Sequence, residues 1–135
     1  VDPKIFKKIK KNIKKNDKIF FFLDSNHTFE HTYQELVLYS EIVTKNSYMV
    51  VCDGIMKLVH DTPRAGLSLK EWQKKGWIME RANLSWKNNN PLTAIKKFLR
   101  ENDKYIIDEP KWLFNESKLN KRITYSPNCF LKKIK

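Results

Sequence analysis

With 135 residues, 41% of them apolar and 13% aromatic, the chain is the size of one domain and can bury a core of its own. A net charge of +12 points towards phosphate-rich partners, but lysine is spread over nearly every segment, so a solvated surface is the preferred reading over a nucleic-acid patch. No apolar run approaches the roughly 20 residues of a membrane span and Val1-Asp2-Pro3-Lys4 opens no signal-peptide core, so a cytoplasmic protein is expected.

Asp2 and Pro3 read as a helix cap followed by proline at the first helical position, with Ile5, Phe6, Ile9 and Ile13 on one face of a helix of about three turns. The opposite face, from Lys4 to Lys15, is lysine. The apolar stripe is narrow and carries no tryptophan, which suits packing on a sheet better than a nucleic-acid or membrane surface.

Ile19 to Leu23 is a continuous apolar run, too short for a buried helix, and reads as a strand covered on both faces, the habit of parallel sheets. Asp24, Ser25, Asn26 and His27 follow. In an open α/β sheet ligands bind beyond the carboxyl ends of the strands, so these four side chains stand where chemistry is done.

Thr28 then caps a helix with Phe29, Tyr33, Leu36, Val37 and Ser40 on one face, ending near Val43. Asn46 fits the left-handed position after a helix, and Ser47 to Asp53 is a second buried strand that also ends in a carboxylate. Strand, helix and strand make a βαβ unit, so the two strands should be parallel and Asp24 and Asp53 should leave the same edge. Two such carboxylates can share Mg²⁺, or each can cap a turn. His27 and His31, four apart, have the spacing of a zinc pair, but no Glu follows His27 directly, so packing or hydrogen bonding is preferred, with His27 the better functional candidate. Cys52 and Cys129 sit in apolar stretches without ligand spacing and read as reduced core thiols.

Residues 54–90 form a long connection. Ser68 and Glu71 are spaced as a capping box before a short helix stopped by Gly76, and Trp72, Trp77 and Trp86 suggest either a lid over a site or a satellite cluster pinning the loop. The three glycines are dispersed, so no glycine-rich cofactor loop is present. Asn90-Pro91 begins a further helix with Ile95, Phe98 and Leu99 on one face. Tyr105 to Ile107 is a third strand, and Lys111 to Lys121 a charged loop plugged by Trp112, Leu113 and Phe114. After a turn at Pro127-Asn128, Cys129 to Ile134 is a last strand whose lysines suit a sheet margin. With no linker or repeat, residues 1–135 read as a single domain, and 54–90 as a lid-like insertion.

Leu23 to His31 (Leu-Asp-Ser-Asn-His-Thr-Phe-Glu-His), Glu35 to Ser40, Lys45 to Asp53, Asn90 to Leu99 and Ser126 to Lys132 together resemble the cephalosporin hydroxylase family, which also takes in rhamnosyl O-methyltransferases and shares the class I methyltransferase fold. The resemblance implies a Rossmann-like α/β sheet, mostly parallel with an antiparallel last strand and flanking helices. It also implies S-adenosylmethionine as methyl donor and Mg²⁺ at the strand ends. Carried over, Asp24 and Asp53 are the metal carboxylates, Asp24 and Ser25 the cofactor contacts, and His27 the catalytic residue that handles a proton or meets the donor. Cys52 stands where many relatives have an acidic ligand, which removes one hard oxygen donor, and glycine is more usual at Asn46 and Cys129.

The family's glycine-rich donor loop and ribose-binding acid belong to strands that precede the matched segments, so the expectation is the C-terminal half of such a domain, with the apolar edge of the Ile19 to Leu23 strand free to pair in a homo-oligomer. The expected activity is O-methylation of a hydroxyl on a sugar or small molecule. No two-His-one-carboxylate iron site for a hydroxylase is legible. Two alternatives stand beside it: a basic nucleic-acid-binding module built on the Lys4 to Lys15 helix, and an inactive methyltransferase fragment.

Overall fold

The computed structural model describes residues 1–60, 69–74, 84–111 and 124–135. Helix α1 spans Pro3–Asn12, β1 Phe21–Leu23, α2 Phe29–Ser40, β2 Tyr48–Val51, α3 Leu69–Lys74, α4 Pro91–Glu101, β3 Tyr105–Ile107 and β4 Phe130–Lys133. One 3-10 turn at Gly54–Lys57 and another at Leu84–Lys87 lie between β2 and α4. The sheet order is β1-β2-β4-β3, with β1 parallel to β2 and β4 antiparallel to both its neighbours. The parallel βαβ unit and the antiparallel last strand are therefore as the sequence implies.

Side chains alternate across a strand, and those of one sheet face meet α2 and α4. Leu23, Met49, Val51 and Leu131 pack there with Leu36, Ile95 and Phe98 in one buried cluster. The caps are those the sequence announces. Asp2 Oδ1 accepts from Lys4 N at 2.8 Å, Thr28 Oγ1 from His31 N at 3.4 Å and Asn90 Oδ1 from Thr93 N at 2.9 Å. Asn46 has φ 63°, the left-handed backbone expected of it.

Five expectations are corrected. The β1 run is not covered on both faces: Phe20 is 62% and Phe22 60% exposed, because both described helices that press on the sheet pack against the other side. Helix α2 stops at Ser40 rather than Val43, and it buries Thr32, Glu35, Leu36 and Ser40 while Val37 faces solvent. Helix α1 leaves Ile5 of its expected apolar stripe exposed, and it reaches the end of α2 through the Phe6 and Tyr39 rings at 6.0 Å and Lys10 with Glu41 at 3.4 Å.

Strand β4 is not a margin but lies between β2 and β3. Its lysines are accommodated because each reaches a fixed acceptor: Lys132 Nζ lies 3.1 Å from Asp108, and Lys133 Nζ donates to Ser40 O and Val43 O at 2.9 and 2.8 Å. The second pair satisfies the carbonyls left over at the end of α2. Of the cysteines, neither in a disulfide, Cys129 is a core thiol and Cys52 is only half-buried. The expected Ser68 cap, the Gly76 stop, Trp77 of the lid or satellite cluster and the Trp112 to Phe114 plug lie outside the described residues, as does the side chain of Trp72.

Candidate metal site

Strand β1 ends when Cys52 N donates to Leu23 O at 2.9 Å, and Asp24 is the first residue past that bond. The chain then turns, with Asn26 Oδ1 accepting from Thr28 N at 3.1 Å in an Asx turn that leads into the cap of α2. On the neighbouring strand Asp53 holds φ 56°, a left-handed backbone that Asp tolerates better than bulkier residues. Gly54 follows it directly, and a Cβ there would lie 2.3 Å from Cys129 Sγ and 3.2 Å from Pro127 O, so the turn needs glycine on steric grounds.

These two strand exits bring Asp24, His27 and Asp53 together. One ligand atom from each lies within 4.8 Å of the others. His27 Nε2 is 3.1 Å from Asp53 Oδ2 and 3.7 Å from Asp24 Oδ1, and the imidazole is about three-quarters covered while both carboxylates remain open to solvent. Two carboxylate oxygens and one imidazole nitrogen are a donor set that suits a divalent cation, and the 3.1 and 3.7 Å from the imidazole to the two carboxylates match bonds of about 2.1 Å to a shared ion. Among the described residues no other such group occurs.

Cys52 borders this corner. Burial first, then the negative charges of Asp24 and Asp53 and a hydrogen bond to Asp24, push its thiol up to about 11, against a smaller opposite effect of Ser126. It therefore stays a thiol at neutral pH, and sulfur is a soft donor that does not replace a carboxylate oxygen. Ser25 is exposed at the strand end, and its hydroxyl donates to Glu35 Oε1 at 2.9 Å, which leaves the serine oxygen free to accept from a ligand. His31 does not join His27: its Nε2 lies 3.5 Å from the same Glu35 oxygen, one helical turn on.

Sequence reasoning missed Glu35, a carboxylate with an 11% exposed side chain. The available signal was its position on α2, four residues after His31 and directly before the buried Leu36, where a lysine-rich protein would otherwise place an apolar residue.

The family model described as rhamnosyl O-methyltransferase/CmcI matches residues 1–134. No curated protein and no solved structure gave a match. A mixed α/β sheet with helices packed on it, carrying its acidic and imidazole groups at the carboxyl edge of a parallel strand pair, is compatible with a methyltransferase-like fold. The chain belongs to the rhamnosyl O-methyltransferase/CmcI family.

Proposed function

We propose that this corner is the acceptor and metal side of an S-adenosylmethionine-dependent O-methyltransferase acting on a hydroxyl of a sugar or small molecule. The family supports methyl transfer, and the observation that carries the reading is the Asp24, His27 and Asp53 cluster at the carboxyl edge of β1 and β2. The donor set fits a divalent ion such as Mg²⁺, with Asp24 and Asp53 holding it. A bound ion acidifies a hydroxyl and fixes its orientation.

The chain's own residues do the rest. Asp53 Oδ2, 3.1 Å from His27 Nε2, aims the ring, and His27 is the imidazole in the corner suited to take up the acceptor's proton. Asp24 and Ser25, exposed at the end of β1, are placed to receive polar groups of the methyl donor. Methyl transfer asks mainly for two reactants held in line, so orientation is the larger share of the work.

The test is calorimetric titration of S-adenosylmethionine with and without Mg²⁺, followed by transfer of labelled methyl groups to a panel of sugar and small-molecule hydroxyls. Binding that needs Asp53, and label on oxygen, are the expected results. A second reading, that these residues are one half of a larger methyltransferase sheet and inactive alone, is favoured by β1, an edge strand with Phe22 60% exposed. Under that reading the donor binds only when the sheet is extended beyond β1. Salt-sensitive capture of nucleic acid with no donor binding in either form points instead to the basic module.

A further inference from the structure

Burying a carboxylate in a helix face that packs on a core is costly unless strong hydrogen bonds repay it. Glu35 is such a carboxylate. It sits on α2 beside the fully buried Leu36, and its Oε1 accepts the Ser25 hydroxyl at 2.9 Å with His31 Nε2 at 3.5 Å. A bond to an ionised acceptor is about twice as strong as a neutral one. It falls on the segment that most needs holding. Between Leu23, where the sheet ends, and Thr28, where α2 is capped, Ser25 and Asn26 are exposed. Thr32 Oγ1 also ties this segment to the body of α2, through a long bond to Asn26 O at 3.4 Å.

We propose that Glu35 is the positioning residue of this site: through Ser25 it fixes the Asp24 to His27 turn so that Asp24 and His27 converge on Asp53. The inference rests on the reading of that corner as a metal site and adds what holds it in shape. Glu35 lies outside the Asp24, His27 and Asp53 group. It acts at one remove, as the outer partners of metal ligands do, and their loss typically costs 10 to 100-fold in affinity.

The experiment compares the intact chain with Glu35→Leu, Glu35→Gln, Ser25→Ala and the Glu35→Leu/Ser25→Ala double variant. Mn²⁺ affinity is read by calorimetry, thermal midpoint by circular dichroism, and the His27 ring by NMR in the absence of metal. Glu35→Leu and Ser25→Ala should each weaken Mn²⁺ binding about tenfold. The double variant should be no worse than either, because both cut the same link. Glu35→Gln, which keeps an oxygen for Ser25, should recover most of the affinity. In metal-free protein the His27 resonances should move in the two single variants that lose the link and stay in place in Glu35→Gln.

Unchanged Mn²⁺ affinity in Ser25→Ala, multiplied losses in the double variant, or a Glu35→Gln no better than Glu35→Leu overturns the proposal. If the intact chain binds no Mn²⁺, the metal reading fails instead, and the His27 resonances alone decide the positioning role: unmoved in Ser25→Ala, they overturn it. Should Glu35→Leu not fold, Ser25→Ala and Glu35→Gln carry the same comparison.

Discussion

Single residues set the chemistry of the corner. Cys52 has a thiol raised to about 11, above the usual range near 8.5, so the unfolded chain gives up this proton first. Stability linked to Cys52 is therefore whole below about pH 8.5 and declines as pH climbs towards about 11. Alkylation of the folded protein by iodoacetamide should accordingly be slow at neutral pH and accelerate into that alkaline window. Cys129, with no exposed surface, should stay unmodified until the protein unfolds. At Gly54 the demand is steric. Gly54→Ala puts a methyl group against Cys129 Sγ and Pro127 O, and should cost about 1–3 kcal/mol in urea unfolding, partly regained by adding Cys129→Ala.

At the scale of elements, two helix ends are held by side chains, one by its own cap and one by a lysine from the sheet. Asn90 is fully buried, caps α4 through Thr93 N, and donates to Trp86 O at 2.6 Å, so it joins the 3-10 turn at 84–87 to the helix. Asn90→Ala removes the cap and one partner of a partly buried carbonyl together, and a loss of about 2–3 kcal/mol in chemical denaturation is expected. Lys133 completes the far end of α2 from the middle of the sheet. Lys133→Met keeps much of the apolar stem and loses both hydrogen bonds, so its cost of about 1–2 kcal/mol should appear as faster amide exchange in the last turn of α2. Both predictions concern ends of helices whose middles are secured by the Leu36, Ile95 and Phe98 cluster.

For the whole molecule, the described helices pack one face of the sheet, and β1, one of its two edge strands, shows Phe22 to solvent with Phe20 just before it. Among the described residues no helix is long and apolar enough to cross a membrane. If Asp24 and Asp53 hold an ion in the folded state alone, Mg²⁺ or Mn²⁺ should stabilise the entire domain by about 2.7 kcal/mol at a hundred times its dissociation constant. The thermal midpoint should then rise by several degrees, fall back on chelation, and ignore the ion in Asp53→Asn. A rise that persists in Asp53→Asn assigns the ion to another place.

What could be read from the chain before its structure was local or periodic. Asp2-Pro3, Thr28 and Asn90-Pro91 mark helix starts because a side-chain oxygen and a fixed φ act on neighbouring residues only. The βαβ spacing was enough to bring Asp24 and Asp53 to one edge, since the handedness of the crossover leaves little choice. Partner choice lay beyond that reach. Nothing local in Phe130 to Lys133 announces a strand inserted between β2 and β3, because its lysines are satisfied by Asp108 and by the end of α2, both distant in sequence. The same holds at the site. The sequence by itself determined which groups reach the edge of the sheet, since caps and strand ends are set by neighbouring residues. Only the tertiary structure decided that His27 turns to Asp53 and Ser25 to a buried Glu35, because those pairings depend on how α2 settles against β1 and β2.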